Sequence, residues 1–116
     1  MNHREDYLKA IYSLTDEGEG TTKTSEVSKK LDISDASASE SIQKLEDENL
    51  VCRAAYKGFT LSPMGKEKGK EAKEKFYTLK NVFDQIGVEN AEEEADSVEH
   101  SISGGAVEKL EEEVLR

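Results

Sequence analysis

Apolar residues recur at helical spacing through the first half of the chain and predict three helices. The first is expected over roughly 4–16 and is followed by a polar loop. Thr24 is expected to cap a short second helix that ends near Asp32, and Ser34 is expected to cap the third. The inward-facing residues of these helices are Tyr7, Leu8, Ile11, Tyr12, Leu14, Val27, Leu31, Ala38, Ile42 and Leu45. Two helices joined by a tight turn, the second opening with small polar residues, indicate a helix-turn-helix.

The pattern changes after Asn49, where residues 50–61 are rich in β-forming side chains. Tyr56-Lys57-Gly58 interrupts this β-forming run, so a two-stranded hairpin is predicted. Cys52 falls on one of its strands, and a buried, unreactive thiol is expected there. Directly after the hairpin, Ser62-Pro63 provides a cap and a first-turn proline, which is a specific signal for the start of a helix.

Three further helices are predicted in the rest of the chain, over about 63–86, 89–102 and 106–115. Gly87 is expected to end the first of them, and Gly104-Gly105 to separate the last two. Their apolar residues are Phe76, Leu79, Phe83, Ile86, Ala91, Ala95, Val98, Ile102, Val107, Leu110 and Val114.

This order of elements predicts a mainly α protein. Residues 1–70 would form a winged helix-turn-helix with three helices and a two-stranded wing, and residues 71–116 a separate helical domain. A generic α-rich module, whose hairpin has no role in binding, is the alternative. The apolar stripe of the long helix is too large to leave in water, so we expect a homodimer. Its predicted interface residues are Phe76, Leu79, Phe83 and Ile86.

Charge is unevenly distributed along the 116 residues, whose 16 basic and 26 acidic side chains give a net charge of −10. Residues 51–80 nevertheless contain eight Lys or Arg and three Glu. Such a stretch can bind nucleic acid, although a lysine-rich solvated helix explains it as well. The single cysteine excludes an intrachain disulfide, and neither a membrane span nor a secretory signal is apparent. We therefore expect a cytoplasmic protein with no membrane partner.

The third predicted helix would carry the DNA-contacting side chains, because the second helix of a helix-turn-helix enters the major groove. Small hydroxyls permit close approach but specify little, and Asp35 and Glu40 are awkward beside phosphates. Capping alone is the other explanation for Ser34. On the wing, Arg53 and Lys57 are expected to bind the DNA backbone. The full candidate set is Ser34, Ala36, Ser37, Ser39, Glu40, Lys44, Arg53 and Lys57.

Three potential metal ligands fall close together on the helix predicted over 89–102. Because successive residues advance by ~100° around a helix axis, Asp96, Glu99 and His100 lie within about 100° of one another. Two carboxylates and an imidazole in this arrangement can converge on one divalent cation. Acidic helices often contain such triplets on a solvated face, so the pattern alone leaves both interpretations open.

The sequence resembles the diphtheria-toxin-repressor and manganese-transport-regulator family of metal-dependent transcription factors over nearly its whole length. The most specific part is the Glu99-His100 pair before a serine, in register with the upstream winged helix. The matching segments are EDYLKAIYSL at 5–14, TSEVSKKLDIS at 24–34, ASASESIQKLEDENLV at 36–51, YKGFTLSPMGKEKG at 56–69, FDQIGV at 83–88 and EADSVEHSIS at 94–103.

The resemblance implies a repressor in which a divalent ion, Fe²⁺ or Mn²⁺, activates a homodimer to bind a palindromic operator in double-stranded DNA. The controlled genes would serve metal homeostasis, and residues 71–116 would be a helical dimerisation and metal-binding domain. The implied ligands are Asp6, Asp96, Glu99 and His100. Other divalent ions are expected to bind in vitro. The small barrel domain of longer members is expected to be missing.

Two positions depart from the family pattern. Lys9 stands where manganese-type members carry a glutamate, and Phe76 where the family carries a histidine. A second, ancillary metal site is therefore expected to be absent. His3, one helical turn before Asp6, is either a substitute ligand or a free histidine.

Two other function classes can be compared with the metal-dependent regulator. A dimeric winged-helix factor that has lost metal control would use the helix over 89–102 only for assembly, and Lys9 and Phe76 favour it. An enzyme is not supported: Ser41 and Lys44 match Ser-x-x-Lys, but the match lies in the predicted recognition helix and no catalytic constellation accompanies it. We therefore expect neither an enzyme nor a small organic substrate.

Overall fold

Helices dominate residues 4–54 and 57–116, the part of the chain that the computed structural model describes. The elements are α1 (Arg4–Leu14), α2 (Thr24–Leu31), α3 (Asp35–Asp47), β1 (Val51–Ala54), β2 (Gly58–Leu61), α4 (Pro63–Gln85), α5 (Ala91–Val98), α6 (Gly104–Leu110) and a π-helical turn (Glu111–Leu115). The predicted mainly α fold, with a helix-turn-helix followed by a two-stranded wing, is confirmed. None of the helices in these described ranges is long and apolar enough to cross a bilayer.

The chain divides into two compact units, the first ending at Ala72 and the second beginning at Lys73. In the first unit, α1, α2, α3 and the hairpin share one hydrophobic core. Its fully buried members include Leu8, Ile11, Val27, Ile42 and Phe59. The assignment of residues 1–70 to DNA binding and of 71–116 to dimerisation and metal binding remains a proposal.

The turn between α2 and α3 is fixed by local hydrogen bonds. Asp32 ends α2 in the left-handed conformation (φ 54°), and its N–H bonds back to the Lys29 carbonyl. Ser34 caps α3, as predicted, by accepting the Ser37 N–H at 3.1 Å. The Ser28 hydroxyl adds a link by donating to Asp35 across the turn. Helix α3 therefore begins at a defined position relative to α2.

The predicted cap of α2 was wrong by one residue. Lys23, not Thr24, is the extended residue before the helix, and its carbonyl accepts from the Glu26 and Val27 N–H groups. The cause is a backbone bridge, because Thr22 both donates to and accepts from Phe59 at 2.9 Å. This bridge anchors the chain on the wing immediately before α2 starts.

The wing pairs Val51 with Leu61 and Arg53 with Phe59 in antiparallel register. Val51, Phe59 and Leu61 are buried in the core of the first unit. Because alternate residues of a strand face opposite sides, Cys52 lies on the outer face and is exposed. The prediction of a buried thiol was therefore wrong.

Helix α4 starts at the predicted place and approaches the wing closely. Ser62 accepts the Gly65 N–H at 3.0 Å and donates its hydroxyl to the Asn49 carbonyl at 2.7 Å. A Cβ atom at Gly65 would lie 2.0 Å from the Leu50 carbonyl oxygen. Only glycine fits here without a shift of backbone.

The second unit buries the apolar stripe of α4 within a single chain. Leu79 is fully buried together with Ala95 and Val107, and Phe76 and Phe83 pack partly buried against this cluster. Leu79 is already covered within this chain, and the assignment of the four residues to a dimer interface remains a prediction. Ile86 is 61% exposed, so among the four predicted interface residues it retains the most accessible surface.

The last two helices differ in length from the prediction. The helix expected over 89–102 ends at Val98, because the Ser101 N–H bonds to the Val98 carbonyl in a tighter turn. Ser103 then accepts the Ala106 N–H at 3.1 Å, so α6 already begins at Gly104 rather than at 106. The two glycines form the first turn of the helix instead of separating two helices.

Candidate metal centre and nucleic-acid interface

The predicted DNA-contacting residues of α3 lie on its solvent face. The helix buries Ala38, Ile42 and Leu45 and leaves the remaining first-turn positions exposed. Exposed candidates on or directly before α3 are Ser34, Ala36, Ser37, Ser39, Glu40 and Lys44. One face of α3 therefore packs in the core, and the opposite face is exposed to solvent.

Two of the candidate serines already have a structural role. Ser34 accepts the backbone N–H of Ser37 and donates its hydroxyl to the Ser37 hydroxyl at 3.0 Å. Ser39, two residues after Ser37, is exposed. Capping is thus an observed role of Ser34, and Ser39 is the better candidate for contact with a base.

Carboxylates on and near α3 are matched by partners in the same unit. Asp35 accepts the Ser28 hydroxyl, and Glu40 lies 3.7 Å from the Lys44 ammonium one turn on. The Lys44 ammonium partly offsets the charge that Glu40 presents to a phosphate backbone. The Ser28 hydroxyl is neutral, so it orients the Asp35 carboxylate without offsetting its charge.

On the wing, Arg53 and Lys57 occupy different environments. Arg53 donates through Nε to Glu46 at 2.7 Å, and its guanidinium carbon lies 5.8 Å from the centroid of the Phe59 ring. Lys57 is exposed, and its backbone N–H bonds to the Ala54 carbonyl at 3.1 Å. Positions 55 and 56, including the predicted turn residue Tyr56, lie outside the described residues. Sequence reasoning missed Glu46, because no local pattern links a helix residue to a strand residue seven positions on.

In the second unit, three predicted metal ligands come together at the end of α5. Asp96, Glu99 and His100 each offer a ligand atom, and these atoms all lie within 4.8 Å of one another. Asp96 lies in the last turn of α5, Glu99 directly follows the helix, and His100 lies in the turn after it. The grouping forms even though the helix ends before Glu99.

Burial distinguishes this cluster from a solvated acidic face. Glu99 is only 3% exposed, and its Oε1 lies 3.6 Å from Nε2 of His100. A buried carboxylate is costly unless a positive charge compensates it, and a divalent cation is one such partner. Two carboxylates and one imidazole, without a thiolate, suit Mn²⁺ and Fe²⁺. The donor chemistry and spacing of these residues therefore fit a divalent metal ion.

Asp6, the remaining predicted ligand, belongs to the first unit. It lies in the first turn of α1 and is largely buried, and the Lys9 ammonium lies 3.9 Å from its Oδ1. Spacing i, i+3 on a helix is the signal that could have predicted this pair. His3, the possible substitute ligand, lies outside the residues that the structure describes.

The family relationship follows from a comparison with known sequences. The family model "Iron dependent repressor, N-terminal DNA binding domain" matches residues 1–59, which is just over half of the 116-residue chain. The chain belongs to the iron-dependent repressor family. Membership confirms the resemblance found in the sequence. Because this is a family of transcription regulators, it also confirms the prediction that the chain is not an enzyme.

Individual members of the iron-dependent repressor family match over most of this chain. The HTH-type transcriptional regulator MntR of Listeria welshimeri is 28% identical over 108 residues, covering 91% of this chain and 75% of the relative. MntR of Oceanobacillus iheyensis is 29% identical over 108 residues, covering 91% and 73%.

Solved structures of the family share the fold. The manganese regulator SloR has a TM-score of 0.82 and 28% identity, and the alignment covers 97% of this chain and 53% of SloR. IdeR of T. acidophilum, at 22% identity, shares the fold with a TM-score of 0.84, with 97% and 54% covered. The chain thus spans about half the length of these two structures.

Proposed function

We propose that this protein is a metal-responsive transcription regulator that acts as a repressor on double-stranded DNA. The observation that carries the proposal is the cluster of Asp96, Glu99 and His100, whose ligand atoms lie within 4.8 Å of one another around a buried carboxylate. It occurs in a chain whose N-terminal half matches a repressor DNA-binding domain. A regulator of this kind would control genes of metal homeostasis.

The regulatory ion is Mn²⁺ or Fe²⁺, and one ion binds per chain. Asp6 is the fourth ligand, on the strength of the sequence resemblance and of its position in a buried first turn of α1. Hard oxygen donors with one imidazole favour these two metals, and relatives named as manganese regulators support Mn²⁺. Lys9 and Phe76 occupy the positions from which a second ion would need donors.

Metal control is proposed because the four predicted ligands belong to different units of the chain. Asp6 belongs to the DNA-binding unit, and the other three ligands belong to the second unit. A divalent cation held by these residues would supply positive charge that offsets the carboxylates. It changes the population of DNA-binding conformations only in so far as it binds one conformation more tightly than the others.

The DNA partner is a palindromic operator bound by a homodimer. Two-fold symmetry would place two α3 helices in major grooves separated by about one helical turn, or a multiple of it. Ile86, exposed near the end of α4, supports an interface formed by the second unit. The DNA-contacting residues are those on the solvent face of α3 together with Arg53 and Lys57 on the wing.

Fluorescence anisotropy with labelled duplexes from the DNA upstream of the gene tests the function. The 116-residue chain is titrated with chelator present, and then with Mn²⁺, anaerobic Fe²⁺ or Zn²⁺ added singly. We expect metal-dependent binding to an upstream duplex and much weaker binding to a scrambled duplex. Equal, sequence-specific affinity with chelator and with every metal would instead identify the alternative, a winged-helix factor without a metal switch.

A further inference from the structure

A three-residue contact joins the recognition helix to the wing. Glu46, in the last turn of α3, accepts the Nε–H of Arg53 on β1 at 2.7 Å. The Arg53 guanidinium also lies over the ring of Phe59, its partner across the hairpin, at 5.8 Å from the centroid. We call Glu46, Arg53 and Phe59 the wing contact.

We propose that Glu46 is a positioning residue that fixes Arg53 for contact with a DNA phosphate. Glu46 occupies only the Nε–H of the guanidinium. Within the described ranges the terminal Nη groups of Arg53 donate no hydrogen bond, so four N–H donors remain for a phosphate. Arginine suits this role because its planar fork can bind one partner through an edge while presenting the others.

The surroundings of Arg53 restrict its movement. Phe59 is 1% exposed, and its backbone is bonded to Thr22 in both directions, so the ring is a fixed surface beneath the guanidinium. Glu46 lies on α3, and its neighbour Leu45 is buried in the same core as Phe59. Both partners of Arg53 therefore belong to rigid elements, and the charge of the arginine is placed where α3 and the wing meet.

This inference rests on the proposed DNA-binding function and adds a role for an acidic residue. A carboxylate near DNA ordinarily weakens binding by repelling phosphates. Positioning has the opposite effect, since less side-chain freedom of Arg53 is lost on binding. The two effects are separable because the neighbouring Asp47 carries the same charge but contacts Gln43, at 3.1 Å, rather than Arg53.

The test compares Glu46→Ala with the matched control Asp47→Ala, each in the Arg53 and the Arg53→Ala background. Affinity for a short fluorescent duplex of arbitrary sequence is measured with saturating Mn²⁺ over a range of salt concentrations. Because the contact is partly exposed, we expect Glu46→Ala to bind about two- to fivefold more weakly than Asp47→Ala. Arg53→Ala should abolish that difference and reduce the slope of log K against log salt by about 1.

Three results would overturn the proposal. Glu46→Ala could bind as tightly as Asp47→Ala, which would mean that Glu46 does not position Arg53, or more tightly, which would mean that Glu46 withholds Arg53 from DNA. The difference could persist in the Arg53→Ala background, or Arg53→Ala could leave the salt slope unchanged. Failure of the unsubstituted protein to bind any duplex would refute the DNA-binding function itself, and the inference with it. Circular dichroism of each variant separates these results from a loss of folding.

Discussion

Replacement of Gly65 by alanine tests how closely α4 must approach the wing. The added Cβ would lie 2.0 Å from the Leu50 carbonyl oxygen, whereas real Cβ contacts essentially never fall below 3.0 Å. Either α4 or the backbone at Leu50 must therefore move by about 1 Å. That carbonyl also accepts the Ser62 N–H at 3.0 Å, so the movement strains the hydrogen bond that joins the hairpin to α4.

The cost combines overpacking with the damaged hydrogen bond. Overpacking of a well-filled site costs about 1–3 kcal/mol, and loss of a hydrogen bond about 0.5–1.5 kcal/mol. We expect Gly65→Ala to lower the free energy of unfolding by about 2–4 kcal/mol, with a urea midpoint lower by roughly 1–3 M. Gly20→Ala is the control in the same unit, because its methyl group would meet the Thr15 carbonyl oxygen at an ordinary 3.5 Å.

Urea unfolding monitored by circular dichroism provides the measurement. Gly20→Ala should remain within about 0.5 kcal/mol of the unsubstituted protein. If Gly65→Ala were equally mild, the close packing of α4 against Leu50 would be wrong, and with it the argument that a glycine is required there.

Three further outcomes are expected. Ser34→Ala should destabilise the first unit by ~1 kcal/mol in urea unfolding through loss of the α3 cap, whereas exposed Ser39→Ala should change stability little; equal effects would contradict the capping role. Lys57→Ala should weaken binding to all duplexes and reduce the salt slope by about 1, and an unchanged slope would remove Lys57 from the phosphates. Sedimentation at tens of micromolar should show a dimer that Ile86→Glu weakens; a monomer with and without metal would contradict the assembly.

Local signals predicted much of the first unit. Ser34 and Ser62 were identified as caps from residue type and position alone, and both accept the expected backbone N–H. Such contacts span only three residues, so the sequence contains the information needed to predict them. The hairpin was likewise predicted, from the change in the spacing of apolar residues after Asn49.

Sequence patterns could not predict contacts between residues that are far apart in the sequence. The stripe containing Leu79 was correctly expected to be buried, but periodicity cannot say whether another helix or a second chain covers it. Cys52 was misjudged because a strand has two faces and the hairpin has only one core side. The contact of Glu46 with Arg53 depends on how the wing folds back towards α3, which no spacing along the chain encodes.

The candidate metal site was predicted only in part from residue spacing. Helical phase correctly grouped Asp96, Glu99 and His100, although α5 ends before Glu99 and a turn completes the grouping. The burial of Glu99 could not be predicted from an acidic segment, because similar residues such as Glu94 remain exposed. Asp6 was identified through family resemblance and not through spacing, since ninety residues separate it from Asp96.

The most direct test of metal-controlled DNA binding is the response of His100→Ala to metal. Its affinity for the upstream duplex is measured with chelator and with Mn²⁺, beside Glu94→Ala as a variant of an exposed residue on α5, the helix that precedes His100. We expect Glu94→Ala to keep the metal-induced gain in affinity and to bind one ion per chain in calorimetry. His100→Ala should stay folded and dimeric, yet lose that gain, because its imidazole is the only nitrogen ligand in the proposed set. Full metal-dependent binding by His100→Ala, or two tightly bound ions per chain in the unsubstituted protein, would contradict the account.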